Sequence, residues 1–164
     1  MKKTALFAAL IAMLFSLVAC GSTDELVGDA ANAAWVTASN ETLKNVSVTG
    51  FEYKGTAVPS WKYQAWAAAS APVVKEILNN MPDGYVLQVT GHADSRGPEE
   101  ATGSKPGNMA ISTDRAQAVY DALKNNGIES DKLTYKGVGS SMPLEGVASD
   151  SAAQRRVSFM VVPE

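Results

Sequence analysis

The sequence predicts an α+β fold, with a mixed sheet of about four strands backed by two main helices, and two kinds of pattern support this. Four short segments have the alternating or concentrated apolar pattern of strands, namely residues 46–53, 85–90, 133–138 and 155–162. Two longer segments, residues 59–78 and 113–125, place apolar side chains at helical spacing. With 164 residues, the chain is long enough to bury the core of one such domain.

The first half of the domain is predicted from alternation and from its proline residues. Residues 46–53 alternate apolar and polar side chains, which predicts a half-buried strand. A helix then opens at Pro59 and Ser60, and Pro72 inside it predicts a kink or a late restart because proline lacks a backbone N–H. Residues 81–84 read Met-Pro-Asp-Gly, which is typical of a turn. The apolar, β-forming run that follows this turn predicts a buried central strand.

The second half of the domain is predicted from helix-capping signals and from further strand patterns. Ser112 is a suitable N-cap residue for an amphipathic helix over residues 113–125, and Gly127 is placed to end that helix. Residues 133–138 and 155–162 then complete the sheet. The resulting order of strands and helices favours a sheet whose apolar side is covered by the helices.

The amino end of the chain differs in composition from the rest. Lys2 and Lys3 precede an apolar run over residues 4–18 that is short for a membrane span and is typical of a secretory signal. Residues 20–45 are rich in small and polar side chains, and a weak helix is expected over residues 24–38. We therefore expect a signal peptide over residues 1–19, a tether over residues 20–45 and the folded domain over residues 46–164.

Composition excludes several functional classes. The net charge of the whole chain is −3, and removing a leader that carries two lysines makes it more acidic, so we expect no nucleic-acid partner. The single histidine, His92, cannot form a multi-histidine metal site, and we expect it to be a hydrogen-bonded scaffold residue. The single cysteine, Cys20, cannot form an internal disulfide. We expect no metal, no cofactor and no enzymatic activity.

Residues 91–97, Gly-His-Ala-Asp-Ser-Arg-Gly, carry the strongest functional signal, together with a set of positions further along the chain. Those positions are Asn108, Ile111, Ser112, Arg115, Ala116, Val119 and Leu123. The combination resembles the OmpA-like peptidoglycan-binding domain of the OmpA carboxyl-terminal and Pal type, whose helix pattern is Asn-x-x-Leu-Ser-x-x-Arg-Ala-x-x-Val-x-x-x-Leu. Only Ile111 departs from that pattern. The resemblance implies an OmpA-C-like sandwich.

The resemblance also implies how the site recognises its ligand, the diamino acid of the peptidoglycan stem peptide. Asp94 would bind its ammonium group, and Arg115, expected in the first helical turn, would bind its carboxylate with a planar pair of donors. Asn108 matches a position that makes structural and ligand-side hydrogen bonds. Arg155 and Arg156 resemble the paired arginines before the last strand of the family. Strand alternation points them to opposite sides, so we expect one to face the ligand and the other to brace a scaffold carboxylate. In the alternative interpretation, Asp94 and Arg115 simply pair with each other or decorate the surface.

The junction at residues 17–20, Leu-Val-Ala-Cys, resembles the lipobox of bacterial lipoproteins, which implies lipidation of Cys20. The expected protein is a lipid-anchored outer-membrane lipoprotein whose domain faces the periplasm and binds peptidoglycan without covalent attachment. Its partners are then peptidoglycan, the membrane and other envelope proteins. The alternatives are an attachment subunit of a larger envelope complex or a surface-exposed antigen. We also expect the fold to survive alanine substitution at either Asp94 or Arg115.

Overall fold

The structure is a computed structural model that describes residues 24–57, 60–128 and 130–164. The predicted signal peptide and Cys20 lie outside these described residues. The chain divides into two compact units, one up to Ala33 and one over Ala34–Glu164. The second unit contains the whole sheet and the candidate site. Within the described residues, no helix combines the length and the apolar character needed to cross a membrane.

The predicted α+β fold is confirmed, with one mixed four-stranded sheet. Its strands are β1 (Val48–Thr49), β2 (Tyr85–Gly91), β3 (Leu133–Gly137) and β4 (Arg156–Pro163). They lie in the order β1-β4-β2-β3, and β2 pairs antiparallel with β4 and parallel with β3. The helices are α1 (Asp24–Leu43), α2 (Ser60–Asn79) and α3 (Asn108–Asn125).

The core lies between the helices and one face of the sheet. Alternate residues of β2 and β4 are buried on that face, which are Leu87, Val89, Val157, Phe159 and Val161. Helix α2 contributes Val74 and Ile77 to the same cluster, and α3 contributes Ala116, Val119 and Leu123. Burying each large aliphatic side chain contributes about 1.5–3 kcal/mol of transfer free energy, so this cluster supplies most of the driving force for folding.

The end of α1 packs with the domain. Leu43 is fully buried in the core, although it belongs to the segment assigned to the tether from sequence. The Asn40 side chain bonds both backbone groups of Val161, donating to its oxygen at 3.1 Å and accepting from its nitrogen at 2.7 Å. This amide substitutes for a neighbouring strand at the outer edge of β4, which β1 is too short to cover.

Strand β1 is shorter than predicted because both of its ends adopt other structures. Residues Lys44–Val46 form a 3₁₀-helix, and Gly50 follows the strand with a positive φ of 92°. Glycine tolerates this left-handed backbone, which turns the chain out of the sheet. Residues 51–55, which we call the cradle segment, then run past the carboxyl end of β2 as irregular backbone.

Helix α2 is continuous through Pro72, so a late restart of the helix there is not observed. Pro72 is exposed, and the carbonyl that loses its helical hydrogen bond can therefore be hydrated. The helix meets the core through Val74 and Ile77 on its other side.

Helix α3 begins at Asn108, earlier than predicted, and Ser112 is therefore inside the helix and is not its N-cap. The Ser112 hydroxyl donates to the Met109 carbonyl and accepts from the Gly139 N–H, both at 2.9 Å. Two glycines let α3 lie directly on the sheet. A Cβ on Gly91 would be 1.9 Å from the backbone carbonyl oxygen of Ser112, and one on Gly137 would be 2.3 Å from the backbone nitrogen of Thr113.

Candidate functional site

The candidate site lies at the carboxyl end of β2, where the chain continues in an extended path through His92, Ala93 and Asp94. The His92 N–H donates to the Arg156 carbonyl at 2.9 Å, and the Ala93 N–H donates to the Gly139 carbonyl at 2.8 Å. These bonds tie the continuation of β2 to the start of β4 on one side and to the loop after β3 on the other. Asp94 is therefore placed by the sheet, although it lies beyond the last strand residue.

Asp94 is a buried carboxylate surrounded by cations. Its residue is only 2 % exposed, and its Oδ2 accepts from Arg96 Nη2 at 2.7 Å and from Arg155 Nη1 at 2.8 Å. The Arg96 backbone N–H also donates to Oδ1 at 3.2 Å. Burial alone would raise the pKa of this carboxyl, but the bonds from Arg96 and Arg155 outweigh it and hold the pKa below its usual value. Asp94 is therefore ionised at neutral pH.

Arg155 joins Asp94 to the cradle segment. Its Nη1 holds the Asp94 carboxylate, while its Nε donates to the Phe51 carbonyl at 2.7 Å. Its side chain is only 12 % exposed. With two directional bonds at different ends of the guanidinium, Arg155 is a fixed part of the site.

Arg115 is buried and fixed by three backbone carbonyls. Its residue is 1 % exposed, and it donates to the oxygens of Gly55 at 2.8 Å, His92 at 2.9 Å and Glu52 at 3.0 Å. Burial and the charge of Arg155 lower the pKa of Arg115 to about 10, so it stays protonated at neutral pH. No bond joins Arg115 to Asp94 directly, which excludes the interpretation that the two simply pair in this structure.

Arg115 does not lie in the first turn of its helix, contrary to the sequence prediction, because α3 begins at Asn108. The free N–H groups of a helix are confined to its first turn, so they do not contribute to anion binding at Arg115. The guanidinium itself remains suited to an anion. It has five N–H donors, and three of them are used by the backbone carbonyls.

Asn108 stands at the start of α3 and connects the Asp94 backbone to the following loop. It is 5 % exposed, and its Nδ2 donates to the Asp94 carbonyl at 3.2 Å and to Glu99 Oε1 at 3.3 Å. Glu99 also accepts from the Ser140 backbone and hydroxyl. The loop over residues 98–107 is therefore tied to the neighbouring loop through one carboxylate. Burial opposes ionisation of Glu99, but the bonds from Ser140 and Asn108 keep its pKa low.

Arg156 points away from Asp94. It is 8 % exposed, and its Nη2 donates to the Met142 carbonyl at 3.0 Å while its Nη1 lies 3.4 Å from the Gln154 carbonyl. The two arginines thus point to opposite sides, as expected, although Arg155 directly precedes β4 and only Arg156 belongs to it. Arg155 is the one that faces the cleft and also the one that contacts a carboxylate, whereas Arg156 braces neutral backbone groups.

His92 lies on the same side as Arg156. It is 2 % exposed, and its Nε2 is 2.8 Å from the Ser158 hydroxyl, so the expected scaffold histidine is confirmed. Burial and the nearby charge of Arg156 lower the pKa of His92 to about 4, while the Met142 backbone acts in the opposite direction. His92 is therefore neutral at physiological pH. Across the part of the chain that is described, no group of three or more potential metal-binding side chains occurs.

Three residues of the site were not predicted from sequence. A small cleft is lined by Asp94, Asn108, Arg115 and Arg155, together with Tyr53, Lys54, Ala93 and Ile111. Tyr53 and Lys54 belong to the cradle segment, and Lys54 has a positive φ of 58°, which is uncommon for a residue with a side chain. Arg96 is the third residue. It belongs to the motif over residues 91–97, but no role was predicted for it, and its bond to Asp94 appears only in the folded structure.

The family model described as the OmpA family matches residues 70–156. Outer membrane protein A of Escherichia fergusonii is 33% identical over 88 residues, which are 54% of this chain and 34% of that protein. Its counterpart in Escherichia coli O157:H7 is also 33% identical over 88 residues, which are 24% of its length. The chain therefore spans about a third or less of these two relatives.

Two solved structures share the fold. The peptidoglycan-associated lipoprotein from Burkholderia pseudomallei is 26% identical, with a TM-score of 0.54 over 71% of this chain and 89% of that one. The carboxyl-terminal domain of Helicobacter pylori MotB has a TM-score of 0.53 at 16% identity over 72% of this chain and 84% of that one, a likeness of fold alone. The family match spans β2, α3, β3 and both Arg155 and Arg156 at the start of β4, and this chain therefore belongs to the OmpA family.

Proposed function

We propose that this chain is a non-catalytic lipoprotein that binds peptidoglycan through the diamino acid of its stem peptide and tethers the outer membrane to the cell wall. Membership of the OmpA family supports this, as does the similarity to a protein described as a peptidoglycan-associated lipoprotein. The observation that carries the proposal is the buried Asp94 carboxylate, which lies in a cleft beside the fixed guanidiniums of Arg115 and Arg155.

Recognition of a diamino acid end needs an anion and a pair of donors held at a fixed separation. Asp94 supplies the anion for the ammonium group. Arg115 supplies the donors for the carboxylate, because two of its five N–H groups are left over from its three bonds to carbonyls. Both side chains are held by the scaffold before the ligand arrives, so little conformational entropy is lost on binding.

The other predicted site residues have different parts in this proposal. Arg155 lines the cleft and holds Asp94 in place, and Asn108 fixes the Asp94 backbone from the start of α3. Arg156 lies outside the cleft lining and is bound to the carbonyls of the opposite loop. We therefore assign ligand contact to Asp94 and Arg115, positioning to Arg155 and Asn108, and no ligand contact to Arg156.

The charges of the cleft also favour binding over catalysis. A general acid or base works best when its pKa is near the working pH. The pKa of Asp94 is held below its usual value, and the guanidinium of Arg115 remains charged at neutral pH. Groups with these properties are suited to holding a charged ligand and are poorly suited to moving protons.

Peptidoglycan binding is tested by sedimentation of the purified full chain, kept in detergent, with isolated sacculi. We expect Asp94→Asn to lower the affinity roughly ten- to a hundredfold, because a hydrogen bond to a charged group is worth about 1.5–3 kcal/mol. Asp131→Asn is the matched control, since Asp131 is exposed and belongs to the β3 end of the domain. Free diaminopimelate should compete with sacculi for the parent. A folded Asp94→Asn variant that sediments like the parent would refute the assignment.

The lipid anchor is tested separately. Cys20→Ser should abolish incorporation of labelled palmitate and leave the protein uncleaved or soluble, because the cysteine thiol is the acceptor for the diacylglyceryl group. Two or more acyl chains are needed for stable membrane anchoring, which a lipidated cysteine provides. A variant that is processed and fractionates with outer membranes like the parent would contradict the anchor while leaving the wall-binding proposal intact.

A further inference from the structure

Two guanidiniums share one oxygen of the buried Asp94, but they are not equally held. Arg155 has a second bond to the Phe51 carbonyl, and its side chain is 12 % exposed. Arg96 has a side chain that is 45 % exposed, and among the described residues its guanidinium donates a hydrogen bond to Asp94 Oδ2 alone. Of the two cations, Arg96 is therefore the one that can leave without disturbing the scaffold.

Arg96 has a second contact besides its bond to Asp94. Its guanidinium carbon lies 4.4 Å from the centroid of the Tyr53 ring, which is itself 46 % exposed at the edge of the cleft. Such a cation–π contact persists over a range of guanidinium positions because the ring offers a broad negative face. The negative charge of Asp150 also acts on Arg96.

We propose that Arg96 occupies the position of the ligand's ammonium group in the free protein, so that ligand binding is an exchange of one cation for another on Asp94. This inference rests on the proposed function and names the residue that competes with the ligand. A buried carboxylate without a partner is strongly destabilising. Arg155 stays bonded to Asp94 Oδ2 throughout, so the exchange replaces only the second and more exposed cation on that oxygen.

The exchange sets a limit on affinity. Because Arg96 is half-exposed, breaking its ion pair with Asp94 costs little free energy, and such pairs usually change a binding constant by only a small factor. Removing Arg96 should then strengthen binding by roughly two- to fivefold. A residue that contacted the ligand directly would have the opposite effect when removed.

The test measures binding of free meso-diaminopimelate to the full chain in detergent by calorimetry. This probe has no net charge at neutral pH, so the loss of one distant surface charge should have little effect on its affinity. We expect Arg96→Ala to bind the probe about two- to fivefold more tightly than the parent. Arg96→Lys should gain less, since its ammonium still competes for Asp94. Lys105→Ala, which removes an exposed charge from the next loop, is the matched control and should not change the affinity.

Each outcome separates this inference from the proposed function. Weaker binding by Arg96→Ala would show that Arg96 holds the ligand, and unchanged binding would show that the ammonium uses another oxygen of Asp94; either result overturns the exchange. In both cases Asp94→Asn would still lose the probe, and the proposed function would stand. If Asp94→Asn binds the probe like the parent, the proposed function fails and the exchange fails with it.

Discussion

Arg155 and Arg156 are neighbours in the chain, yet they serve two different regions of the molecule. We call the first region the pocket side, where Arg155 meets Asp94 beside Arg115. The second is the loop side, where Arg156 donates to the Met142 carbonyl next to His92 and Gln154. On the pocket side Arg155 contacts a carboxylate, whereas on the loop side Arg156 contacts neutral groups. The same residue type thus holds a buried carboxylate in one region and braces a loop in the other.

The largest effect should come from removing Arg115, which belongs to the pocket side but is also structural. Arg115→Ala leaves the carbonyls of Glu52, Gly55 and His92 without this donor, so we expect a loss of about 3 kcal/mol or more in the free energy of unfolding. The sequence-based expectation that the fold tolerates this change is therefore revised. Urea unfolding measures it, with the exposed Lys124→Ala on the same helix as control. An unchanged midpoint would mean that the cradle segment does not depend on Arg115.

The next effect concerns pH and the loop side. The folded pKa of His92, about 4, is below the ordinary value of 6.5, so the unfolded chain binds a proton at a pH where the folded chain does not. The contribution of neutral His92 to the free energy of unfolding should therefore be fully present above pH 6.5, and about 2–3 kcal/mol of it should be lost as the pH approaches 4. His92 is the only histidine, so a His92→Gln variant should lose this dependence. Thermal melts between about pH 7 and pH 4 would test it, and equal slopes for both proteins would contradict the assignment.

The comparison itself is tested by substituting the two neighbouring arginines in parallel. Arg155→Ala should weaken binding to sacculi roughly tenfold, because Asp94 loses its fixed partner. Arg156→Ala should instead lower the free energy of unfolding by about 1–2 kcal/mol and change binding much less. Sedimentation with sacculi measures the change in binding for both variants, and urea unfolding measures the change in their free energy of unfolding. If both variants lost binding equally without loss of stability, the two sides would not be separate.

The smallest expected effect concerns the tie between the two loops. Glu99→Gln keeps the size of the side chain but removes the charge that Ser140 and Asn108 contact, and charge-assisted bonds are stronger than neutral ones. We expect less than about 1 kcal/mol of destabilisation and faster cleavage of residues 98–107 in limited proteolysis. Glu100→Gln is the neighbouring exposed control. Equal cleavage rates in the two variants would show that Glu99 does not restrain the loop.

The sheet could be predicted from sequence because burial on one face imposes a pattern on each strand. Residues 85–90 and 155–162 were placed within one residue of the strands Tyr85–Gly91 and Arg156–Pro163. The start of α3 could not be predicted in the same way. Ser112 has the chemistry of an N-cap, but its hydroxyl bonds Gly139, which is distant in sequence and close only after folding. A capping signal cannot distinguish these two uses of one hydroxyl.

The sequence predicted most of the polar residues that line the cleft, but it did not predict the hydrogen bonds that hold them. The resemblance to the family assigned Asp94 and Arg115 to the same site, and strand alternation predicted that Arg155 and Arg156 point to opposite sides. The bonds of Arg115 to the cradle segment join residues about 60 positions apart, and no local pattern encodes them. The role of Arg96 was also hidden, because it depends on how many cations already surround Asp94.

The bond between Asn40 and Val161 has a mechanical consequence. A pull on the amino end of the chain reaches the sheet through α1, whose Asn40 amide holds both backbone groups of Val161. Val161 lies on β4, the same strand that begins at Arg156, next to Arg155. If the amino end is fixed in a membrane and the cleft is fixed to the wall, part of the tension between the two surfaces passes through β4. Among the described strands, only β2 pairs with β4 at Val161, and the Asn40 amide occupies the other side, so the load passes from this amide into β4 and its pairing with β2.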